Sequence, residues 1–330
     1  MPVSLSDLIE QIDIPRTVLF FGSGSSIPSG MPAAERLRKA FVDALPFEDE
    51  GFSLAEAAEL FEQEFDRKKL ISTMRALFPK PNPTGGLANI GLYQWKSIFT
   101  TNYDCLLETA YGRRQKAPGV ISTNFDFGRQ ADEYSTTIFK LHGSIERDVS
   151  DGDKARIILT TGDYEKADEY REQLYARLQL DLMGSHTIII GYSLNDPEIR
   201  AQVDKVLDLQ KSGSGISGRI TLFLYEESAA RAALFERRGL QICYGGIDQF
   251  FAAIADKFDA DDGIAEATED ILGKIPRLKA ILTDVNHAIQ KEPNFSAMYV
   301  GWPATYADIA NKLTFARTKV SQSLTDNYVV

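Results

Sequence analysis

TVLFFGSGSSIPSGMP, residues 17–32, is the stretch on which the fold turns. Its first five residues are β-branched, aromatic or leucine, and the run ends at Gly22, as a buried parallel strand should. Residues 20–32 then hold three glycines, four serines and two prolines, and a helical pattern follows over about 33–45. A bare turn needs far less. Glycine lets a backbone approach a ligand closely, and serine hydroxyls with backbone N–H groups bind oxygens, so the composition suits a loop around a phosphorylated ligand.

The same strand–loop–helix rhythm recurs downstream. Residues 97–104 (SIFTTNYD) read as a strand entering a turn, with a helix in CLLETAYG. Residues 135–144 (STTIFKLHGS) and 155–161 (ARIILTT) read as two more strands, and 163–183 as one long helix. HTIIIGYSLNDPE (186–198), RITLFLYEES (219–228) and LQICYGG (240–246) complete the set. Strands separated by helical patterns imply an α/β fold with a doubly wound parallel, Rossmann-like sheet, in which ligands bind at the carboxyl edge. Residues 53–65 and 67–78 carry apolar positions at three- and four-residue spacing, so about 44–95 reads as a helical insertion between the first two sheet strands. The domain is expected over 1–257. A C-terminal helical segment, 258–330, is interrupted by the aromatic loop 294–306 around Tyr299 and Trp302, and reads as assembly or partner surface or as core.

Composition narrows the class. The chain of 330 residues has a formal net charge of −11, which argues against direct nucleic-acid binding. No apolar run approaches the roughly 18–20 residues of a spanning helix, so no membrane association is expected. Acidic residues break the apolar N-terminal stretch, which is neither a signal peptide nor an anchor. The only cysteines, Cys105 and Cys243, lack C-x-x-C spacing, so neither zinc nor a disulfide framework is expected, and a reducing cytoplasm suits the chain.

Four strand ends stand out together: Gly22-Ser23-Gly24 through Gly30-Met31-Pro32, Thr101-Asn102-Tyr103-Asp104, Leu141-His142-Gly143, and Gly191-Tyr192-Ser193-Leu194. In this order, over about residues 15–255, they resemble the sirtuin family. The resemblance implies NAD as ligand and no metal. Gly22 and Gly24 match the glycines facing the pyrophosphate, with Ser23, Ser26, Gly30 and Pro32 in the same loop. Asn102, beside Thr101, matches the Asn next to the nicotinamide ribose, Asp104 the Asp supporting nicotinamide recognition, and His142 the histidine that handles ribose hydroxyl protons. Gly191 and Ser193 match a loop on the adenosine side. Tyr225 and Glu226 sit where a carboxylate can meet the adenosine ribose, or where a helix simply starts in solvent. The residue types suit these roles: an imidazole titrates near neutrality, and a carboxamide offers both a donor and an acceptor.

The departures bear on the reaction. Sirtuin deacylases continue the loop with Asp-Phe-Arg, where this chain has Ala33, Ala34 and Glu35. The aromatic that shields the reactive ribosyl intermediate is thus missing at Ala34. The four-cysteine zinc ribbon is missing too, and Asn195-Asp196-Pro197 replaces the peptide-docking Val-x-Pro. The wording TTNYD, KLHGS and GYSLND is similar to that of sirtuin-like effectors of bacterial anti-phage systems. That likeness implies hydrolysis of NAD to nicotinamide and ADP-ribose by Asn102 and His142. It also implies an enzyme held off until triggered, working as a homo-oligomer or with a protein activator, by analogy a translocating ATPase or an Argonaute-type protein. The alternatives are a deacylase without the zinc ribbon and a non-catalytic NAD or ADP-ribose sensor. Asn102 and Asp104 also suit helix caps, as does Asp196, while His186 and His287 read as structural or surface residues.

Overall fold

The computed structural model describes residues 2–113, 118–129, 136–212 and 217–261. The chain divides into two compact units, Met1–Phe251 and Ala252–Val330, and the sheet lies in the first. His287, Tyr299, Trp302 and nearly all of the segment expected over 258–330 lie outside the described residues.

Seven strands form one parallel sheet: β1 (Thr17–Phe21), β2 (Ser97–Thr100), β3 (Gly119–Ile121), β4 (Thr137–Lys140), β5 (His186–Ile190), β6 (Arg219–Leu224) and β7 (Gln241–Tyr244). Their spatial order is β3-β4-β2-β1-β5-β6-β7, with every neighbouring pair parallel. The chain fills one side of β1 with β2, the edge strand β3 and then β4 between them, and returns to its other side with β5. The β1/β5 boundary is therefore the topological switch point, the place where such sheets open a crevice at their carboxyl edge. Val18, Leu19, Phe20 and Phe21 of β1 are all buried, as a central strand covered on both faces requires.

The helices are α1 (Leu5–Glu10), α2 (Ala34–Val42), α3 (Leu54–Glu64), α4 (Arg67–Leu77), α5 (Leu106–Gly112), α6 (Thr161–Glu165), α7 (Ala167–Gly184), α8 (Pro197–Lys211), α9 (Ala229–Arg238) and α10 (Ile247–Asp261). Among the described residues, no helix is long and apolar enough to cross a membrane. The main core packs Phe20, Phe99 and Phe139 from the sheet against Leu174, Leu178 and Leu182 of α7 and Ile199, Val203 and Val206 of α8. Each such side chain contributes about 1.5–3 kcal/mol on burial. The insertion has a core of its own, with Phe41 of α2, Phe61 of α3 and Leu70, Ile71 and Met74 of α4 closed by Ile145, Ile157 and Leu159.

That second core explains a departure from expectation. Residues 155–161 alternate as a strand does: Ile157 and Leu159 face the insertion, and Ile158 faces the main core. Yet they pair with no strand among the described residues. Side chains take over much of their backbone bonding: Asp148 accepts from Ile157 N (2.8 Å), and Asp163 accepts from Thr160 N (3.0 Å). Arg67 donates to Ile157 O (3.0 Å) and Tyr103 to Ile158 O (2.7 Å). The helix expected over 163–183 is likewise two helices, divided at Lys166. The edge strand β3 occupies only Gly119–Ile121 and carries too little pattern to be read in advance.

His186 is structural. Its Nε2 hydrogen-bonds Thr221 Oγ1 (2.8 Å), which in turn bonds Gln241 Oε1 (2.7 Å), linking β5, β6 and β7 near their amino ends. Burial, with Arg219 nearby, pushes its pKa down to about 4 from 6.5. Between these values the unfolded chain binds a proton that the native one refuses, so stability falls as pH drops from 6.5 towards 4. The expected contribution is about 2–3 kcal/mol. Urea unfolding at pH 7, 5.5 and 4.5 should show this slope, flattened in His186→Gln.

Candidate active site

The site is built from the loops leaving β4, β2, β1, β5 and β6, which the strand order sets side by side. At the switch point Gly22 N donates to Ile190 O (3.0 Å) and Gly24 N to Gly191 O (2.9 Å). A Cβ on Gly22 would lie 2.5 Å from the Tyr192 ring, and one on Gly191 would lie 2.3 Å from Ser25 N. Gly191 also has a φ of 66°. These glycines therefore let two backbones meet across the crevice, a need of the fold that precedes any ligand. Gly30, with φ 83°, ends the loop where a Cβ would meet nothing within 4 Å.

Asn102 stands where β2 gives way to α5. Its side chain does not cap the helix. Nδ2 donates to Gly22 O (3.0 Å) and Ser26 Oγ (2.9 Å), spanning from the β2 loop to the β1 loop. A carbonyl only accepts, so the amide nitrogen must face Gly22 O, and Oδ1 is left buried without a hydrogen-bond partner. An unpartnered buried acceptor costs on the order of 1–3 kcal/mol and marks a place where a ligand group or water completes the site. Asp104, in contrast, precedes the N-cap Cys105 and accepts from Leu106 N of the first turn (3.0 Å). Burial raises its pKa above the ordinary carboxylate value, against the pull of Lys140. Lys140 is wholly buried beneath, donating to Asp104 O and to Glu108 Oε1 (2.8 Å).

His142 follows β4. Leu141 N donates to Thr100 O (2.8 Å) and Ile145 N to Tyr103 O (3.1 Å), which locks the histidine turn onto the Asn102 loop. Tyr164 meets the ring edge-on at 5.7 Å between centroids, and Tyr103 lies tilted at 6.3 Å. Nε2 lies 3.0 Å from Asp196 Oδ2, close but outside hydrogen-bond alignment. Asp196 does cap α8: its Oδ1 accepts from Glu198 N (3.0 Å) and Ile199 N (3.2 Å). Tyr164 donates to Oδ2 (3.1 Å). Burial works to raise the Asp196 pKa, but His142, the Ile199 amide and Tyr164 together hold it below the ordinary value.

Residues 96–243 match the family model of the SIR2-like domain. Over those residues the chain is similar to a SIR2-like domain. The chain is 24% identical over 209 residues to the NAD(+) hydrolase ThsA of Cytobacillus dafuensis, covering 62% of this chain and 40% of that protein. It is 25% identical over 204 residues to the NAD(+) hydrolase ThsA of Acinetobacter baumannii, covering 60% and 40%. It is 34% identical over 116 residues to the defense-associated sirtuin 2 of Bacillus subtilis, covering 34% and 11%. The chain thus spans well under half the length of these curated relatives.

The expected residues sort into an inner and an outer group. Gly22, Gly24, Ser26, Thr101, Asn102, Asp104, His142 and Gly191 lie in directly bonded or adjoining loops around the switch point. Ser23, Gly30 and Ser193 are exposed on those loops, Pro32 is buried at the start of the helix run, and Glu226 is exposed at the exit of β6. Ala34 is exposed as the first residue of α2. The contact of Asp196 and Tyr164 with His142 was not legible, because α6 and α8 are brought to β4 only by folding. The one local signal was Asp before Pro after a strand, and it spoke for the cap alone.

Proposed function

We propose that this chain cleaves the N-glycosidic bond of NAD, releasing nicotinamide and ADP-ribose. The observation that carries this reading is Asn102. Its amide nitrogen is committed to the glycine loop, while its Oδ1 is buried and unpartnered on a loop whose backbone is bonded to the His142 turn. An acceptor so placed suits a ribose hydroxyl or an attacking water. The names of the relatives support the same chemistry, and the bacterial defence role printed for one of them extends here as part of the proposal.

In the reaction the C1′–N bond breaks with its electron pair going to nicotinamide, which leaves neutral. The ribosyl carbon becomes oxocarbenium-like, water adds to it, and the proton lost from water passes to His142. On the loop over β1 the exposed Ser23 offers a hydroxyl for the phosphates, while Ser26 is buried and holds Asn102 in place. Glu226, Gly191 and Ser193 belong on the adenosine side. Ala34 provides no aromatic shield, which favours water as the acceptor of the ribosyl group.

An enzyme of this kind would destroy the NAD of its own cell, so regulation is part of the proposal: a cytoplasmic effector switched on by self-association or by a protein activator. The test is nicotinamide release by the purified protein beside His142→Ala. General acid–base assistance is worth about 10²–10⁴-fold, and the variant should lose that much. Equal release by both proteins would remove His142 from the mechanism.

A further inference from the structure

Asp196 has two oxygens with two different tasks. An N-cap uses one acceptor, and a serine or threonine would serve. Here Oδ1 alone caps α8, while Oδ2 turns back to His142 Nε2 at 3.0 Å and accepts from Tyr164 at 3.1 Å. The carboxylate is only 7% exposed and the imidazole 6%. Burying an ionised carboxylate that closely requires compensation beyond a helix cap. The loop carrying it is also bent by two left-handed residues, Gly191 at φ 66° and Leu194 at φ 56°. A leucine in that region is uncommon and costs on the order of 1 kcal/mol or more. Leu194 is held there by burial in the main core, and the bend aims Asp196 at β4.

We propose that Asp196 is the positioning residue of His142: it accepts the Nε2–H, fixes that tautomer, and so leaves the Nδ1 lone pair as the base. Tyr164, donating to the same oxygen, holds the carboxylate in place. The resting contact is close but unaligned, and such pairs tighten once a ligand seats the ring. The logic is that of a carboxylate orienting a catalytic imidazole without itself accepting a proton. The role in turnover rests on the NAD-cleavage reading above, whereas the tautomer does not.

Asp196→Asn separates the tasks. Asn caps a helix as well as Asp, and capping by Oδ1 places the amide Nδ2 against His142 Nε2. Two donors cannot share that contact, so the imidazole must switch to the Nδ1–H tautomer. The experiment records ¹⁵N imidazole spectra of the full chain, with the His142 signals identified by their loss in His142→Gln, together with NAD kinetics. Expected are Nε2–H in the wild type and Nδ1–H in Asp196→Asn, at a melting temperature within a few degrees. On the NAD side, kcat should fall by on the order of 10²–10⁴ with little change in KM. An Nε2–H tautomer that persists in the variant overturns the proposal, as does an unchanged kcat. If the wild type neither turns over nor binds NAD, the cleavage reading is what fails, and the tautomer result still decides the role of Asp196. Should Asp196→Asn unfold, Tyr164→Phe provides the second test. Loss of the hydroxyl that steadies Oδ2 should lower kcat several-fold and mix the two tautomers, and an unmixed Nε2–H spectrum at unchanged kcat overturns the proposal.

Discussion

Asn102→Ala should reduce NAD cleavage by at least about 10²–10³-fold, the scale on which one preorganised polar group at a reacting centre acts. The substitution removes the unpartnered acceptor Oδ1 and, with Nδ2, the bridge to Gly22 O and Ser26 Oγ. The stability cost should be far smaller. Two hydrogen bonds at about 1 kcal/mol each are lost, and a buried unpartnered acceptor is removed with them. A large loss of nicotinamide release with a modest loss of stability is thus the expected signature. Asn102→Asp sharpens the test, because a carboxylate facing Gly22 O places acceptor against acceptor and should impair NAD binding as well. If Asn102→Ala retained wild-type turnover, Asn102 would be a loop strut only.

The largest stability effect is expected at Arg67, the first residue of α4. Its guanidinium donates to Asp148 (2.5 and 3.3 Å), Asp163 (2.9 Å), Glu62 (3.1 Å) and the carbonyl of Ile157 (3.0 Å). Asp148 is wholly buried. Burial raises the Asp163 pKa, but Arg67 and the Thr160 amide more than offset it, and the carboxylate stays ionised. Arg67→Ala strands Asp148, while Arg156 still pairs with Glu62 and Asp163, and breaking a buried pair of this kind costs about 3–5 kcal/mol. The melting temperature should fall on the order of 10 °C. Arg67→Lys should rescue little, since an ammonium cannot reproduce the fork. The effect reaches the site as well: Ile158 N donates to His142 O (3.0 Å), so the segment that Arg67 pins also supports the histidine turn. A shift under 2 °C would show that the network contributes nothing net.

Much of this architecture was legible because it is local. Residues 17–21 form a strand with the bounds their pattern implied, and Gly22 ends it. The helices of the insertion follow their apolar spacing, and Ser53 with Glu56 forms the capping box that starts α3. The legible part of the site was the set of strand ends, since the sheet order alone gathers them. What escaped was tertiary. The 155–161 segment alternates because it divides two cores, and nothing local distinguishes that from strand pairing. Gly22 and Gly24 suggested a ligand-facing loop, while the fold shows them first accommodating residues 191–192. Asp196 was legible as a cap, and its second oxygen found His142 only through the bend at Leu194.

The most direct test of the central claim is incubation of the purified chain with NAD in H₂¹⁸O, with the products identified by mass spectrometry. The account predicts nicotinamide and ADP-ribose in equal amounts, with one ¹⁸O at the anomeric carbon. Intact NAD, together with no heat of NAD binding by calorimetry, would contradict it and leave the loop at 20–32 as a turn of the fold.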